Sequence, residues 1–169
     1  MAESARIAAL PVYGCLDLRL DPRNEAAASA VASALDAALP GPNTWVTAGS
    51  AQVLWQAYDE WLILTAGGRQ TALAHSLRSA LADAHCAITD VTDLRAAFRL
   101  QGPHARDVLQ KGCAVDLHPQ AFRPASCVTT ALARVRVTLR QVEAEPAYEI
   151  LVERSYAAYL RDWLEDAVL

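Results

Sequence analysis

The same order of strand-like and helix-like segments occurs twice along the chain, and this order constrains the fold more than any other feature. In the first half, Leu16, Leu18 and Leu20 alternate with polar residues, as in a half-buried strand. A helix is expected to follow, with Asp21 as N-cap and Pro22 in its first turn. A second helix is expected after two further strands. The predicted strands of this half are residues 12–20, 52–58, 60–65 and 86–89.

The second half repeats nearly the same order. A short helix is expected after Gly102-Pro103, and a last helix begins at Ser155 as N-cap. Apolar side chains at helical spacing predict the buried stripe of this last helix: Tyr156, Tyr159, Leu160, Trp163 and Leu164. The predicted strands of this half are residues 95–100, 127–132, 135–141 and 148–152.

Each half is typical of the split β-α-β motif of ferredoxin-like folds. We therefore expect an α+β fold in which two pseudo-repeated ferredoxin-like β-α-β-β-α-β halves form one compact unit. The halves are approximately residues 12–90 and 91–169 of a single domain that spans residues 1–169. No glycine- or serine-rich linker separates them, and their sequences are not alike, so the repeat is one of topology.

The late hairpin allows a prediction of strand register. Pairing Leu139 with Ile150 also pairs Val137 with Val152 on the same face. On the other face this register places Arg140 opposite Glu149 and Arg136 opposite Glu153. Opposite charges that face each other across strands contribute ~0.2–1 kcal/mol per pair, and a slip of one residue would turn the apolar set outward.

Composition excludes several classes of protein. The net charge is −4, whereas a nucleic-acid-binding domain carries a strongly basic patch. The four cysteines have no C-x-x-C spacing, and with no apparent secretory signal we expect reduced thiols: Cys15, Cys86, Cys113 and Cys127. No apolar run approaches the ~20 residues of a membrane span. We therefore expect a cytoplasmic protein that binds neither nucleic acid nor membrane.

Motifs for cofactors and metals are absent from the sequence. The seven glycines form neither G-x-G nor a P-loop. The histidines have no metal-ligand spacing and are expected on surfaces or in loops: His75, His85, His104 and His118. Neither Ser126-Cys127 nor Cys113 stands in a context that would activate a nucleophile. We therefore assign no catalytic, cofactor-binding or metal-binding residue.

A few side chains leave alternatives open. Asp90 and Asp93 could perform acid–base chemistry or bind a cation, but turn formation is favoured. We hypothesise that Arg95 or Arg99 pairs with a nearby carboxylate and holds this turn; a solvated strand face is the alternative. The tryptophans are expected mainly in the core, with exposed interface anchors as the alternative for one or two of them: Trp45, Trp55, Trp61 and Trp163.

Residues 90–103 (D-V-T-D-L-R-A-A-F-R-L-Q-G-P) resemble the D-V-S-x-x-R-x-x-x-x-L-x-G-P pattern shared by folate-binding aminomethyltransferase-like proteins. Three more stretches resemble the gamma-subunit family of heterotetrameric sarcosine oxidases. These are residues 58–62 (Y-D-E-W-L), 111–119 (K-G-C-A-V-D-L-H-P) and 152–164 (V-E-R-S-Y-A-A-Y-L-R-D-W-L). The resemblance extends from about residue 42 to the end, and it implies an aminomethyltransferase folate-binding-like fold.

The resemblance also implies a function. Such an oxidase demethylates sarcosine to glycine, an oxidation at a CH–NH group with oxygen as acceptor. Hydrogen peroxide is released, and the one-carbon unit leaves as formaldehyde or as 5,10-methylenetetrahydrofolate. This chain would be a non-catalytic structural or assembly subunit, without a cofactor of its own. The alpha, beta and delta subunits would be its partners and would carry FAD, FMN, NAD and zinc.

Two other interpretations remain open from the sequence. The chain could be a stand-alone tetrahydrofolate-binding protein, which a titration with tetrahydrofolate would reveal. It could also be an interaction module of an unrelated complex, which the proteins that co-purify with it would reveal.

Overall fold

The structure is a computed structural model that describes residues 5–11 and 13–169. Its chain divides into two compact units, which we call the inserted unit (Val12–Thr92) and the terminal unit (Met1–Pro11 with Asp93–Leu169). The sequence had left the first eleven residues unassigned. That the chain forms a single domain stays a prediction.

In chain order the elements are β1 Arg6–Ala9, β2 Gly14–Leu20, α1 Glu25–Leu35, β3 Trp45–Ala48, β4 Ala51–Ala57, β5 Glu60–Thr65, α2 Gln70–Ala80, β6 Cys86–Asp90, a 3-10 turn Thr92–Leu94, β7 Arg95–Gln101, α3 Ala105–Gln110, β8 Cys127–Leu132, β9 Val135–Glu143, β10 Ala147–Glu153, a 3-10 turn Arg154–Tyr156 and α4 Ala157–Val168. Every neighbouring pair of strands is antiparallel.

The inserted unit has the ferredoxin-like topology expected from the sequence. Its strand order is β3-β4-β5-β2-β6. The helix α1 lies between β2 and β4 in the chain, and α2 lies between β5 and β6, which is the split β-α-β pattern with β3 added at one edge. The alternating leucines of β2 pack with Val31 of α1 and Leu77 of α2 in one apolar core.

The first helix begins later than the sequence predicted. Its N-cap is Asn24, whose side-chain oxygen accepts a hydrogen bond from the Ala27 amide at 3.1 Å. Asp21 instead accepts bonds from the backbone amide and the guanidinium of Arg23. This side-chain pairing, more than any other contact, lowers the pKa of Asp21 to about 2. Asp21 therefore forms a turn before the helix, because Asn24 offers its own capping oxygen three residues later.

The terminal unit repeats the topology with one difference. Its strand order is β1-β7-β10-β9-β8. Here β7, β9 and β10 take the places of β2, β4 and β5, and β8 is the extra edge strand. The closing position, which β6 occupies in the inserted unit, is taken by β1 from the N-terminal segment, with Arg6 opposite Gln101 and Ala9 opposite Phe98. Sequence patterns did not predict β1 or β3, because strands of four residues are too short to show a clear period.

The core of the terminal unit lies between one face of its sheet and its two helices. Leu100, Val137 and Ile150 from the sheet pack with Leu109 of α3 and Leu160 of α4. Each such side chain contributes about 1.5–3 kcal/mol when it is fully buried. These contacts determine the position of α4.

The last helix departs from its prediction at two points. It begins after the 3-10 turn with Tyr156 as N-cap and no side-chain cap, so Ser155 is not the cap. Its buried stripe is Leu160, Leu164 and Ala167, while Tyr156 and Tyr159 are 48% and 41% exposed. The predicted stripe was wider than the strip of helix surface that the sheet covers.

The late hairpin has the predicted register. Leu139 lies opposite Ile150, and Arg140 lies opposite Glu149. The ladder ends with Val137 opposite Val152, and no ion pair within the described residues joins Arg136 to Glu153, so that second charge pair was wrong. Both of these residues are exposed, and solvated charges gain little from pairing.

The Arg140–Glu149 pair is buried, which the sequence did not predict. The two side chains are 1% and 7% exposed, and the Arg140 Nε lies 3.0 Å from Glu149 Oε2. Leu151 and Thr138, on the same face of the sheet, are also buried. A buried charge without its partner is far more costly than a solvated one, so the pair makes the hairpin register obligatory.

A glycine allows α4 to approach the end of α3 closely. A Cβ atom on Gly112 would lie 2.5 Å from Trp163 Cζ2 and 3.1 Å from the Ala133 backbone nitrogen. Beside it, the Lys111 ammonium donates to the carbonyl oxygen of Ala167 at 2.6 Å and so caps the C-terminal end of α4. The Lys111-Gly112 pair therefore positions α4 on the terminal unit.

We predict that Arg140→Met lowers the free energy of unfolding by about 3–5 kcal/mol, because Glu149 is left buried without its cation. The double variant Arg140→Met/Glu149→Leu should recover most of this loss. Urea unfolding measures both. Arg161→Met, which breaks a solvent-exposed pair, is the control and should cost at most about 1 kcal/mol. Equal losses for Arg140→Met and Arg161→Met would contradict the prediction.

We also predict that Gly112→Ala lowers stability by about 1–3 kcal/mol through overpacking against Trp163. In a Trp163→Phe background the cost of Gly112→Ala should be smaller by about 0.5 kcal/mol or more, since the clashing ring atoms are gone. Gly41→Ala is the matched control, because a Cβ atom there meets nothing within 4 Å. Additive effects of the two substitutions in thermal or urea unfolding would refute this contact.

Candidate interaction surfaces

The histidines and cysteines do not converge. All four histidines are exposed, and three make local contacts only: His75 with Ser79, His104 with Asp107 and His118 with the Gln120 amide. The four cysteines are free thiols. Among the described residues, no group of three or more potential metal-binding side chains is close enough to hold an ion. Nor does the described chain contain a helix that is long and apolar enough to cross a bilayer.

The Asp90–Asp93 segment forms a turn, the role favoured from the sequence. Asp90 Oδ1 accepts a hydrogen bond from the Thr92 amide at 3.0 Å, and hydrogen bonds from Thr92 lower the pKa of the Asp90 carboxyl. The Thr92 hydroxyl in turn accepts from the Cys15 amide. Asp90 and Thr92 therefore connect β2 to the end of β6 in the inserted unit.

The arginines of β7 confirm part of the hypothesis about them. Arg99 forms an ion pair, but with Glu143 of β9 and not with a carboxylate of the preceding turn. That turn is bound instead by Arg154, whose guanidinium donates to the carbonyl oxygens of Asp93 at 2.7 Å and Arg95 at 3.1 Å. A guanidinium presents several donors in a fixed fork, so it can bridge two carbonyl groups at once.

Ser126 and Cys127 have structural roles as well. The Ser126 hydroxyl accepts a hydrogen bond from the Arg123 amide within a turn, and Cys127 is fully buried at the start of β8. Cys113 is also buried, just after Gly112. Neither cysteine has the exposure that a reactive thiolate needs.

An apolar groove lies on the inserted unit. Its volume is about 550 Å³, and the Pro40-Gly41-Pro42 loop and helix α1 contribute to its walls. Three aromatic side chains line it: Trp55 is partly buried, Tyr58 is 63% exposed, and Trp61 is buried with its indole nitrogen donating to the Pro40 carbonyl oxygen at 3.0 Å. None of the tryptophans is exposed, because Trp61 is buried and the other three are half-buried. The most exposed aromatic side chain of this unit is Tyr58, which the sequence did not predict as an interface anchor.

A second, polar groove lies on the terminal unit where β7 ends. It has a volume of about 430 Å³ and is lined by Arg6, Gly102-Pro103, Glu143 and Glu145, among others. The Gly102 amide donates to the Pro146 carbonyl oxygen at 3.0 Å. The end of the 90–103 pattern is therefore bonded to the β9–β10 turn.

The surface of α4 combines aromatic and acidic side chains. Tyr156 and Tyr159 are exposed next to Asp162 and Asp166, at the spacing of three or four residues that aligns side chains along a helix. Trp163, by contrast, is partly buried over Gly112. Residues 152–164, which carried part of the family resemblance, therefore divide into side chains that attach α4 and side chains that point to solvent.

Two known proteins are similar to this chain along most of its length. The chain is 36% identical over 143 residues to sarcosine oxidase subunit gamma of Corynebacterium sp. (strain P-1), an alignment that covers 83% of this chain and 68% of that protein. Among solved structures, a chain of the heterotetrameric sarcosine oxidase from Corynebacterium sp. U-96, in complex with pyrrole 2-carboxylate, superposes with a TM-score of 0.89 and 30% identity. That superposition covers 97% of this chain and 83% of the other.

A more distant likeness concerns the fold alone. The glycine cleavage system aminomethyltransferase T from Bartonella henselae superposes with a TM-score of 0.71 at 16% identity, over 96% of this chain and 46% of that protein. The expected α+β, aminomethyltransferase-like fold is therefore confirmed. The family model described as sarcosine oxidase, gamma subunit family, matches residues 19–169. The chain belongs to the sarcosine oxidase gamma subunit family.

Proposed function

We propose that this chain is a non-catalytic structural subunit of a heterotetrameric sarcosine oxidase and that assembly of the enzyme requires it. Two relatives support the proposal: a curated sarcosine oxidase subunit gamma and a chain of a heterotetrameric sarcosine oxidase that superposes along nearly all of this chain. Its partners are the alpha, beta and delta subunits, and the complex is cytoplasmic.

In this proposal the chemistry takes place in the partner subunits. Oxidation of an N-methyl amine requires a hydride acceptor such as a flavin, which protein side chains do not supply. The family resemblance implies that the other subunits carry FAD, FMN, NAD and zinc. The assembled enzyme converts sarcosine to glycine and hydrogen peroxide, together with formaldehyde or 5,10-methylenetetrahydrofolate.

The observation that carries the proposal is that the distinctive polar side chains bond within the chain, whereas several large aromatic side chains remain exposed. Its distinctive polar groups bind within the chain: Arg140 to Glu149, Arg154 to two carbonyl groups and Lys111 to the end of α4. Its exposed large side chains include Tyr58, Tyr156 and Tyr159. Tyrosine is enriched at protein–protein interfaces because its ring buries apolar area while its hydroxyl stays polar.

We predict that omitting this chain from co-expression of the four subunits abolishes the full-size complex and lowers sarcosine-dependent peroxide formation. Size-exclusion chromatography and a peroxidase-coupled assay measure the two quantities. The chain purified alone should show no flavin absorbance, no bound zinc and no activity on sarcosine. A complex of normal size and activity that forms without the chain would overturn the assembly role.

Two outcomes would favour other functions. Saturable binding of tetrahydrofolate by the isolated chain, with no association with oxidase subunits, would indicate a stand-alone folate-binding protein. Co-purification with proteins unrelated to an oxidase would indicate a module of another complex.

A further inference from the structure

The outer side of α4 carries side chains that the fold of this chain does not use. We define the α4 stripe as Tyr156, Tyr159, Asp162 and Asp166. Neither tyrosine hydroxyl makes a hydrogen bond within the described part of the chain, and both rings are nearly half exposed. The buried side of the helix is formed by other residues, mainly Leu160 and Leu164. Packing of α4 therefore does not require the stripe.

The charge of the stripe is unbalanced. The helix carries three carboxylates, Asp162, Glu165 and Asp166, against the single cation Arg161. Arg161 lies 2.9 Å from Asp162 and 3.9 Å from Glu165, and no ion pair within the described chain involves Asp166. The helix therefore has a formal charge of −2, and Asp166 is available to an external cation.

Local stability does not explain this placement of charge. Glu165 and Asp166 lie in the last turn of α4, where the helix dipole favours cations, and the helix has no basic residue there. The cation at this end is Lys111 of the segment after α3, which bonds the carbonyl oxygen of Ala167. Carboxylates at a helix C-terminus are unfavourable for the helix itself, so the helix dipole does not account for Asp166.

We propose that the α4 stripe binds a basic surface, bearing arginine or lysine side chains, on another subunit of the oxidase. The inference rests on the proposed function. Tyrosine ring faces attract cations, and carboxylates form strong charge-assisted bonds with guanidinium groups. A partner that presents arginines between apolar contacts matches both features of the stripe. Tyr156 and Tyr159 act as the anchors, and Asp162 and Asp166 orient the partner.

Hydrogen bonds at both ends of α4 fix the position of the stripe before any partner binds. Arg154 ties the turn before α4 to the carbonyl groups of Asp93 and Arg95, while Lys111 caps the far end of the helix. Trp163 packs over Gly112 in between. A surface that is ordered before binding loses less conformational entropy when the partner docks.

The test uses the full chain, tagged and co-expressed with the other oxidase subunits, and measures how much partner is retained per tagged chain. Tyr156→Ala/Tyr159→Ala should weaken association about 30-fold, the scale of a binding hot spot. Asp166→Lys should weaken it about fivefold or more, because it opposes a basic partner. Retention of the wild-type chain should also fall as salt is raised, since salt screens attraction between exposed charges.

Matched controls separate a local effect from a general one. Leu94→Ala removes an exposed apolar side chain from the turn before β7, and Asp83→Lys reverses an exposed carboxylate in the inserted unit. Both should retain partners as the wild type does. Circular dichroism should be unchanged in all variants, and none should unfold at a markedly lower temperature than the wild type. Asp166→Lys, at an exposed position of the helix, keeps the test valid if the double tyrosine variant does not fold.

The outcomes distinguish this inference from the proposed function. If the wild-type chain retains no oxidase subunit, the proposed function and the inference fail together. If the wild type retains them and the stripe variants do so equally, the proposed function stands and the inference is wrong. If Asp166→Lys strengthens association, or if salt has no effect on it, the partner surface is not basic.

Discussion

The buried pair of Arg140 and Glu149 is the interaction on which the terminal unit depends most. It links β9 and β10 at the centre of the sheet, and Glu149 also lies opposite Arg99 of β7 on its other side. A slip of β10 by one residue would move Glu149 to the face that packs against the helices, away from Arg140, and would turn Ile150 out of the core. Because a buried charge without its partner costs several kcal/mol, only one register is stable.

That register determines where the surface features of the terminal unit lie. The strand β10 runs directly into the turn that contains Arg154 and then into α4. Arg154 bonds the start of β7, while Gly112 and Lys111 receive the rest of the helix. The aromatic and acidic side chains of α4 therefore face solvent as a consequence of internal contacts, and they form an ordered surface.

Local patterns predicted a large part of this fold. Alternating residues located most strands, and the charges and apolar residues of the late hairpin predicted its register correctly. Errors occurred where the sequence offers more than one residue at which a helix could begin. Asn24 caps the first helix although Asp21 and Pro22 form a plausible start, and the last helix begins after a 3-10 turn instead of at Ser155. A side chain's capping ability is local, but which of two neighbouring caps is used depends on where packing places the helix.

The sequence by itself determined the alternation of strands and helices, the register of the late hairpin and the resemblance to the gamma-subunit family. Only the tertiary structure decided that β1 from the N-terminal segment pairs with β7 at the edge of the second sheet. It also decided that both faces of that sheet are buried around Arg140 and Glu149 and that Tyr156 and Tyr159 remain exposed. The physical reason is the separation along the chain between the residues that make each contact. Periodicity reports which side chains share a face, whereas burial depends on segments that are distant in the chain and leave no local signal.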